Sequence, residues 1–233
     1  MADQTGPKRP AGTFATPSRE RPSTVDRAAG ELRRALFDGE IAPGSPLREV
    51  ALAGALGVSR STIREALGVL VGEGLATREP NRGVFVTELD PDAVGDVGRA
   101  RAIVELAGVR RWSQAGEAAR DAVRRALAHF EDVASSHAAP SRLTAAHLAI
   151  HRSFAGLNES PRLAGFADAL YAEIRLGLAR VDRIRRNAPE QVTSHHALVD
   201  LLEGGDADAV SDALAAHLRH AEASMLEALG PHD

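Results

Sequence analysis

Apolar residues recur with a helical period soon after the start of the chain. Val25, Ala28, Ala29, Leu32, Leu36 and Phe37 form one stripe, with Ser23 or Thr24 placed to cap it, which predicts a helix ending near Asp38. The segment Gly39-Glu-Ile-Ala-Pro-Gly44 stops that helix with two glycines and a proline. A second, short helix is expected over about residues 48–56; Gly57 then turns the chain, and Ser59 caps a third helix to about Glu73. The pattern changes after Gly74. Residues 75–79 and 84–87 are short β-prone stretches around a Pro80-Asn-Arg-Gly83 turn. Helix, helix, turn, helix and hairpin within about 65 residues is the order of a winged helix-turn-helix.

From Asp90 onward the period stays helical. The predicted spans are about 91–115, 117–137, 141–157, 160–187, 189–203 and 207–229, with breaks at Gly116, Ala139-Pro140, residues 158–161, Ala188-Pro189 and Gly204-Gly205-Asp206. The domain boundary falls near Leu89-Asp90-Pro91. The expected architecture is therefore mainly α: a winged helix-turn-helix over residues 23–89 and an all-helical bundle over residues 90–233. Residues 1–22 hold Pro7, Pro10, Pro17 and Pro22 without an apolar period and read as a disordered tail. Lys8, Arg9, Arg19 and Arg21 there make it either a solvated leader or a basic arm on DNA phosphates.

Composition narrows the chemistry. Apolar residues make up 44% of the chain but aromatics only 3%, so the core must be built from Ala, Leu and Val, a composition suited to packed helices. There is no cysteine, which removes disulfides and thiolate metal sites and fits a reducing cytoplasm. Neither a secretory leader nor a run of apolar residues long enough for a membrane span is visible. The net charge of −4 argues against a nonspecific nucleic-acid coat, so DNA binding must come from a local patch.

Such a patch lies at the start of the third helix, where Ser59, Arg60, Ser61, Thr62 and Arg64 crowd together. Leu52, Leu56, Val58, Ile63, Leu67 and Leu70 are placed to form a small core behind them. A recognition helix meets base edges with its N-terminal residues, and an arginine can take two acceptors on one guanine. Hydroxyls at a helix N-terminus suit phosphates. At the hairpin tip, Arg82 suits the negative potential of a minor groove and Gly83 permits close backbone approach. The stretch from Leu36 to Val86 resembles the GntR family of bacterial regulators. The matching words are Gly39-Glu-Ile-Ala-Pro-Gly44, Leu47-Arg-Glu49, Leu56-Gly-Val-Ser-Arg-Ser-Thr-Ile-Arg-Glu-Ala-Leu67, Glu73-Gly-Leu75 and Pro80-Asn-Arg-Gly-Val-Phe-Val86. The resemblance implies a homodimer on a near-palindromic operator in double-stranded DNA. It places Ser59, Arg60, Ser61 and Arg64 on DNA, Gly83 with Arg82 in the minor groove, and Arg48 on a phosphate.

Nine histidines are present, and four lie on inward stripes. His147 shares a face with Leu143, Ile150 and Phe154, and His151 follows it by one helical turn. His195 lies with Leu198, Val199 and Leu202, and His217 with Val210, Leu214 and Ala221. A pair at i, i+4 joined by one histidine from each of two other helices can converge inside a bundle, where neutral imidazole is a good ligand for Zn, Ni, Cu, Co or Fe. His129, His137, His196, His220 and His232 read as ordinary packed or solvated residues. The C-terminal part resembles the FCD effector domain of the FadR subfamily. It does so through Arg101-Ala-Ile-Val-Glu105, Ile150-His-Arg-Ser-Phe154, His195-His-Ala-Leu-Val199, Gly205-Asp206 and Ala216-His-Leu218. Many such domains bind a divalent metal through an Asp, a His four residues later and two further His. By position these are His147, His151, His195 and His217, so a histidine stands where the family pattern has Asp. Losing that carboxylate favours Zn or Ni over Mg or Mn. The alternative is that the cluster holds an anionic effector directly. The resemblance also puts Arg101 in reach of an effector carboxylate, against an intrahelical ion pair with Glu105.

The expectation is a sequence-specific regulator, a repressor released when a small carboxylate metabolite enters the helical domain. The competing expectation is a metal-dependent hydrolase built on the same histidines. The sequence shows no nucleophile elbow, P-loop or GxGxxG motif, and His147-Leu-Ala-Ile-His151 has the spacing of HExxH without its glutamate. A purely structural scaffold is the third alternative.

Overall fold

The computed structural model describes residues 22–136, 138–185 and 188–229. The proposed tail lies outside these residues except for Pro22, as do His137 and His232. Helix α1 (Thr24–Phe37) starts at a capping box in which Ser23 and Asp26 each satisfy the other's backbone N–H. The expected stripe is buried, from Ala28 to Phe37, with Val25 half-buried. Helix α2 (Glu49–Leu56) ends at Gly57, whose φ of +64° is open to glycine without strain. Helix α3 (Arg60–Gly72) follows, with Ser59 accepting a hydrogen bond from the Thr62 N–H. Strands β1 (Ala76–Glu79) and β2 (Gly83–Val86) pair antiparallel, with Ala76 opposite Val86 and Glu79 opposite Gly83. Asn81, at φ +61°, makes the turn.

The hairpin has a third member that periodicity does not reveal. Pro46 bridges to Phe85, and the Leu47 N–H donates to the Val84 carbonyl at 2.8 Å. This ties the segment before α2 to the wing. The small core also differs from expectation. Ile63, Leu67 and Leu70 are buried, whereas Leu52, Leu56 and Val58 are only half-buried. The reason is the position of α2, which buries no residue fully. The core closes instead on α1, Leu75, Val84 and Val86.

Six helices complete the described chain: α4 (Pro91–Val109), α5 (Glu117–Ser135), α6 (Pro140–Gly156), α7 (Pro161–Arg185), α8 (Ala188–Gly204) and α9 (Ala207–Leu229). Asp90 caps α4 through the Ala93 N–H. That helix stops at Val109 rather than near Ala115, because the chain tightens into i→i+3 turns: Arg111 donates to Gly108 and Trp112 to Val109. The turns tuck Trp112 and Ala115 into the same core as Val109. The other boundaries lie within about two residues of those expected.

Two packing features position the site. A Cβ at Gly108 would lie 2.0 Å from the Phe154 carbonyl oxygen, so α4 and α6 cross with their backbones in contact. Leu176 of α7 completes the core of the winged domain, which docks the two halves of the molecule on each other.

Candidate DNA-reading face and histidine centre

Ser59, Arg60, Ser61 and Arg64 are exposed at the start of α3, and Thr62 is half-exposed. Their hydroxyls form a local network: Ser59 Oγ lies 2.7 Å from Ser61 Oγ and 2.8 Å from Thr62 Oγ1. Arg64 is not loose. Its Nε and Nη2 donate to the two oxygens of Glu49 at 3.0 and 2.9 Å, and Arg60 approaches the same carboxylate at 3.9 Å. This bridge lowers the Glu49 pKa and raises that of Arg64. Exposed Arg48 is the N-cap residue of α2, at one side of a cleft of about 480 Å³ between that helix and the hairpin. Arg82 and Gly83 line the other side; Arg82 bonds to Glu79 and lies over the Phe85 ring. Arg78 lines the cleft too. Sequence reasoning missed it, because an outward residue on a short strand carries no signal of its own.

The histidines come together. His147 and His151 of α6, His195 of α8 and His217 of α9 each offer a ring nitrogen, and these four atoms lie within 4.8 Å of one another. His151 and His195 are fully buried and His147 nearly so. Burial drives all four imidazoles toward the neutral form, with His195 lowered to about 4 and His217 to about 3. Neutral imidazole is the ligating form.

Three rings are oriented through Nδ1. His151 Nδ1 meets Glu105 Oε2 at 2.8 Å, His195 Nδ1 donates to the Gln191 carbonyl at 2.6 Å, and His217 Nδ1 meets Ser194 Oγ at 3.1 Å. That leaves their Nε2 atoms facing inward: His151 and His195 Nε2 are 3.0 Å apart, and His217 Nε2 is buried without a partner. His147 has both ring nitrogens buried and unpartnered. Its ring stacks on Phe130 of α5, with centroids 5.5 Å apart. A buried imidazole that makes no hydrogen bond is costly, and a buried cluster of such nitrogens fits a cation with nitrogen preference.

Glu105 is the hub behind the cluster. It is fully buried, and burial raises its pKa against the opposing pull of Arg101. Arg101 Nε donates to Oε1 at 2.5 Å, and the Tyr171 hydroxyl of α7 donates to the same oxygen at 3.0 Å. Arg101 therefore makes the intrahelical ion pair and is buried, with one Nη2 left unpartnered. All six bundle helices contribute to this centre. Sequence spacing flagged Glu105 only as an ion-pair partner; Tyr171, Phe130, Gln191 and Ser194 come from other helices at no fixed separation. Among the other described histidines, His196 bonds to Glu131, and His129 and His220 are exposed.

Residues 24–86 match the family described as bacterial regulatory proteins of the gntR family, and residues 96–220 match the FCD domain. The Nta operon transcriptional regulator of Aminobacter aminovorans is 29% identical over 185 residues, covering 79% of this chain and 86% of that protein. The gluconate operon transcriptional repressor of Bacillus licheniformis is 37% identical over 95 residues, 41% of this chain and 39% of that protein. A solved structure from Rhodococcus sp. RHA1, described as a GntR transcriptional regulator, superposes with a TM-score of 0.77 at 30% identity, over 90% of this chain and 99% of that one. These are regulators rather than enzymes, and the hydrolase alternative finds no support among them. No helix among the described residues is long and apolar enough to cross a membrane. The chain belongs to the GntR family and is a transcription regulator with a winged helix-turn-helix reader and an FCD helical domain.

Proposed function

We propose that this regulator is a homodimeric repressor, divided at about residues 89 and 90, that leaves its operator when a small carboxylate metabolite binds beside a metal in the histidine cluster. The observation that carries this reading is His147, whose two ring nitrogens are buried and unpartnered beside three imidazoles already oriented through Nδ1. His147, His151, His195 and His217 would hold the ion. With no carboxylate among the four, Zn or Ni suits the set better than Mg or Mn. The ion would supply a Lewis-acidic position for a carboxylate oxygen. Arg101, with its free Nη2, would add a charge-assisted hydrogen bond.

The cavity beside Arg101 is about 20 Å³, room for little more than one water. An effector must therefore displace helices to enter, which is what makes its affinity differ between two conformations. Helix α4, bearing Arg101 and Glu105, begins five residues after the wing ends at Val86, and α7 reaches the winged core through Leu176. A shift in either helix changes how the two reading heads are held. In the dimer those heads sit one DNA turn apart, about 34 Å. On DNA, Arg60 and Arg64 read base edges, Ser59, Ser61, Thr62 and Arg48 hold phosphates, and Arg82 with Gly83 enters the minor groove. Repression is supported by the named gluconate operon repressor among the relatives.

The test is a mobility shift on the upstream region of the protein's own gene, titrated with short hydroxy- and keto-carboxylates in the presence of Zn. Release of the wild-type protein by one such acid is expected. The His195→Ala/His217→Ala variant should bind DNA but ignore the acid. Equal release of that variant would remove the cluster from sensing.

A further inference from the structure

A larger cavity lies away from the histidines. A cleft of about 450 Å³ opens between the winged domain and the α6–α7 hairpin, within the range of small-molecule sites and at a domain junction, where such sites concentrate. Its bundle-side wall includes four alanines, Ala145 and Ala149 on α6 and Ala169 and Ala172 on α7, beside the larger Leu148 and Tyr171. Room is real at its edges, since a Cβ added at Gly72 or Gly165 would meet no atom within 4 Å. The opposite wall is Phe37 and Leu75 of the winged domain.

The charges in this cleft do not cancel. Arg33 is held by both oxygens of Glu73, at 2.6 and 2.7 Å, and Arg152 is paired with Asp168 across the helix hairpin. Arg175 is the remainder. Its guanidinium lies over the Phe37 ring at 3.8 Å and Nη2 touches the Ser141 carbonyl at 3.3 Å, but Nε is buried without a partner. Asp38, the carboxylate whose field it feels, is paired with Arg34 at 3.1 Å. Arg175 has no ion pair within 4 Å among the described residues. Burial pushes its pKa down, against a smaller opposing pull from Asp38.

We propose that this interdomain cleft is a second small-molecule site, distinct from the histidine cluster, which takes an amphipathic monoanion: an aliphatic body against the alanine wall and a carboxylate on Arg175. One cation without an ion pair and the alanines beside it suit one anionic head and an aliphatic body. A dianion would leave a second charge buried without a partner. A ligand lodged there touches α1 and the end of α3 on one side and α6 and α7 on the other, so it fixes the angle between reader and bundle. The two sites also share a side chain. Tyr171 lines the cleft, and its hydroxyl donates to Glu105 and to the His151 carbonyl at 2.9 Å.

The probe is sodium octanoate, titrated by calorimetry into the full-length metal-loaded protein, with octan-1-ol as the uncharged control. Saturable 1:1 binding is expected for octanoate, at least tenfold weaker for the alcohol. Arg175→Met, which removes the guanidinium but keeps a long unbranched side chain, and Ala169→Leu, which fills the groove, should each weaken octanoate at least tenfold. Should Arg175→Met fail to fold, Ala169→Leu carries the test. His195→Ala/His217→Ala should leave octanoate affinity unchanged, so failure here and failure of the histidine sensor are separate results. The proposal is overturned if octanoate does not saturate, or if binding survives the folded cleft variants. It is also overturned if binding vanishes with the two histidines, or if Ala169→Leu changes only the oligomeric state, which would make the cleft an interface between copies.

Discussion

Glu105 Oε2 lies 2.8 Å from His151 Nδ1, and both groups are fully buried. One turn along each helix, α4 and α6 touch at Gly108 and Phe154, so backbone contact sets this side-chain distance. The carboxylate fixes the tautomer and ring plane of His151 and leaves Nε2 for the cluster. It also returns near the site the negative charge that is absent from the ligand set because position 147 is histidine. Replacing Glu105 by Gln should lower Zn affinity about 10–100-fold, read by competition with a chromophoric chelator. Unchanged affinity would mean that the carboxylate serves only Arg101 and Tyr171.

The glycine at that crossing makes a separate, steric prediction. Gly108→Ala would drive a methyl into a backbone oxygen, which cannot swing away as a side chain can, and should destabilise the protein by about 3 kcal/mol in urea unfolding. Gly68→Ala is the control. It lies on an exposed face of α3, and a Cβ there meets nothing within 4 Å, so it should stabilise by about 0.5–1 kcal/mol. Equal effects at the two positions would show that the α4–α6 contact is not close.

Metal removal should be visible as lost stability, because a ligand that binds only the folded state stabilises it. At a free concentration one hundredfold above Kd the effect is about 2.7 kcal/mol. Purified protein should carry about one divalent ion per chain in elemental analysis. Chelation should lower the melting temperature of the wild type and leave that of His195→Ala/His217→Ala unmoved. Metal content unchanged in the double variant would exclude these residues as ligands.

Much of this was legible in the sequence because local rules determine it. Ser23 and Ser59 cap helices, Gly57 supplies a left-handed turn, and the stripe from Ala28 to Phe37 is buried because 3.6-residue periodicity has one inward face. The four histidines were legible for the same reason, each sitting on an apolar stripe. What periodicity cannot give is which stripes meet. Glu105 behind His151, Tyr171 behind Glu105 and Phe130 against His147 are set by helix crossings. The half-exposure of Leu52 and Leu56 was illegible too. An apolar stripe says that a face wants cover, and the position of α2 decides how much it gets. The end of α4 was misjudged because residues 110–115 keep a helical composition while folding into tighter turns.

Glu49 gives a prediction about discrimination. Its carboxylate holds Arg64 by two hydrogen bonds, presenting that guanidinium in one pose, and would place a negative charge near the phosphates of a bound operator. Glu49→Gln should raise affinity for random-sequence DNA, since a repelling charge is gone, and lower affinity for the operator, since Arg64 is freed. The ratio of the two, measured by fluorescence anisotropy at fixed salt, should fall at least tenfold. A ratio equal to that of the wild type would show that Arg64 needs no positioning.

The start of α3 must enter a DNA groove if the exposed Arg60 and Arg64 are what read the operator. The most direct measurement is anisotropy of a labelled duplex from the upstream region of the gene, comparing wild type with Arg60→Ala/Arg64→Ala across a salt series. Loss of each base contact should cost about 1–3 kcal/mol. The double variant should therefore bind that duplex no better than random DNA while unfolding at the wild-type temperature. Retention of wild-type preference by the folded double variant would contradict α3 as the reading helix.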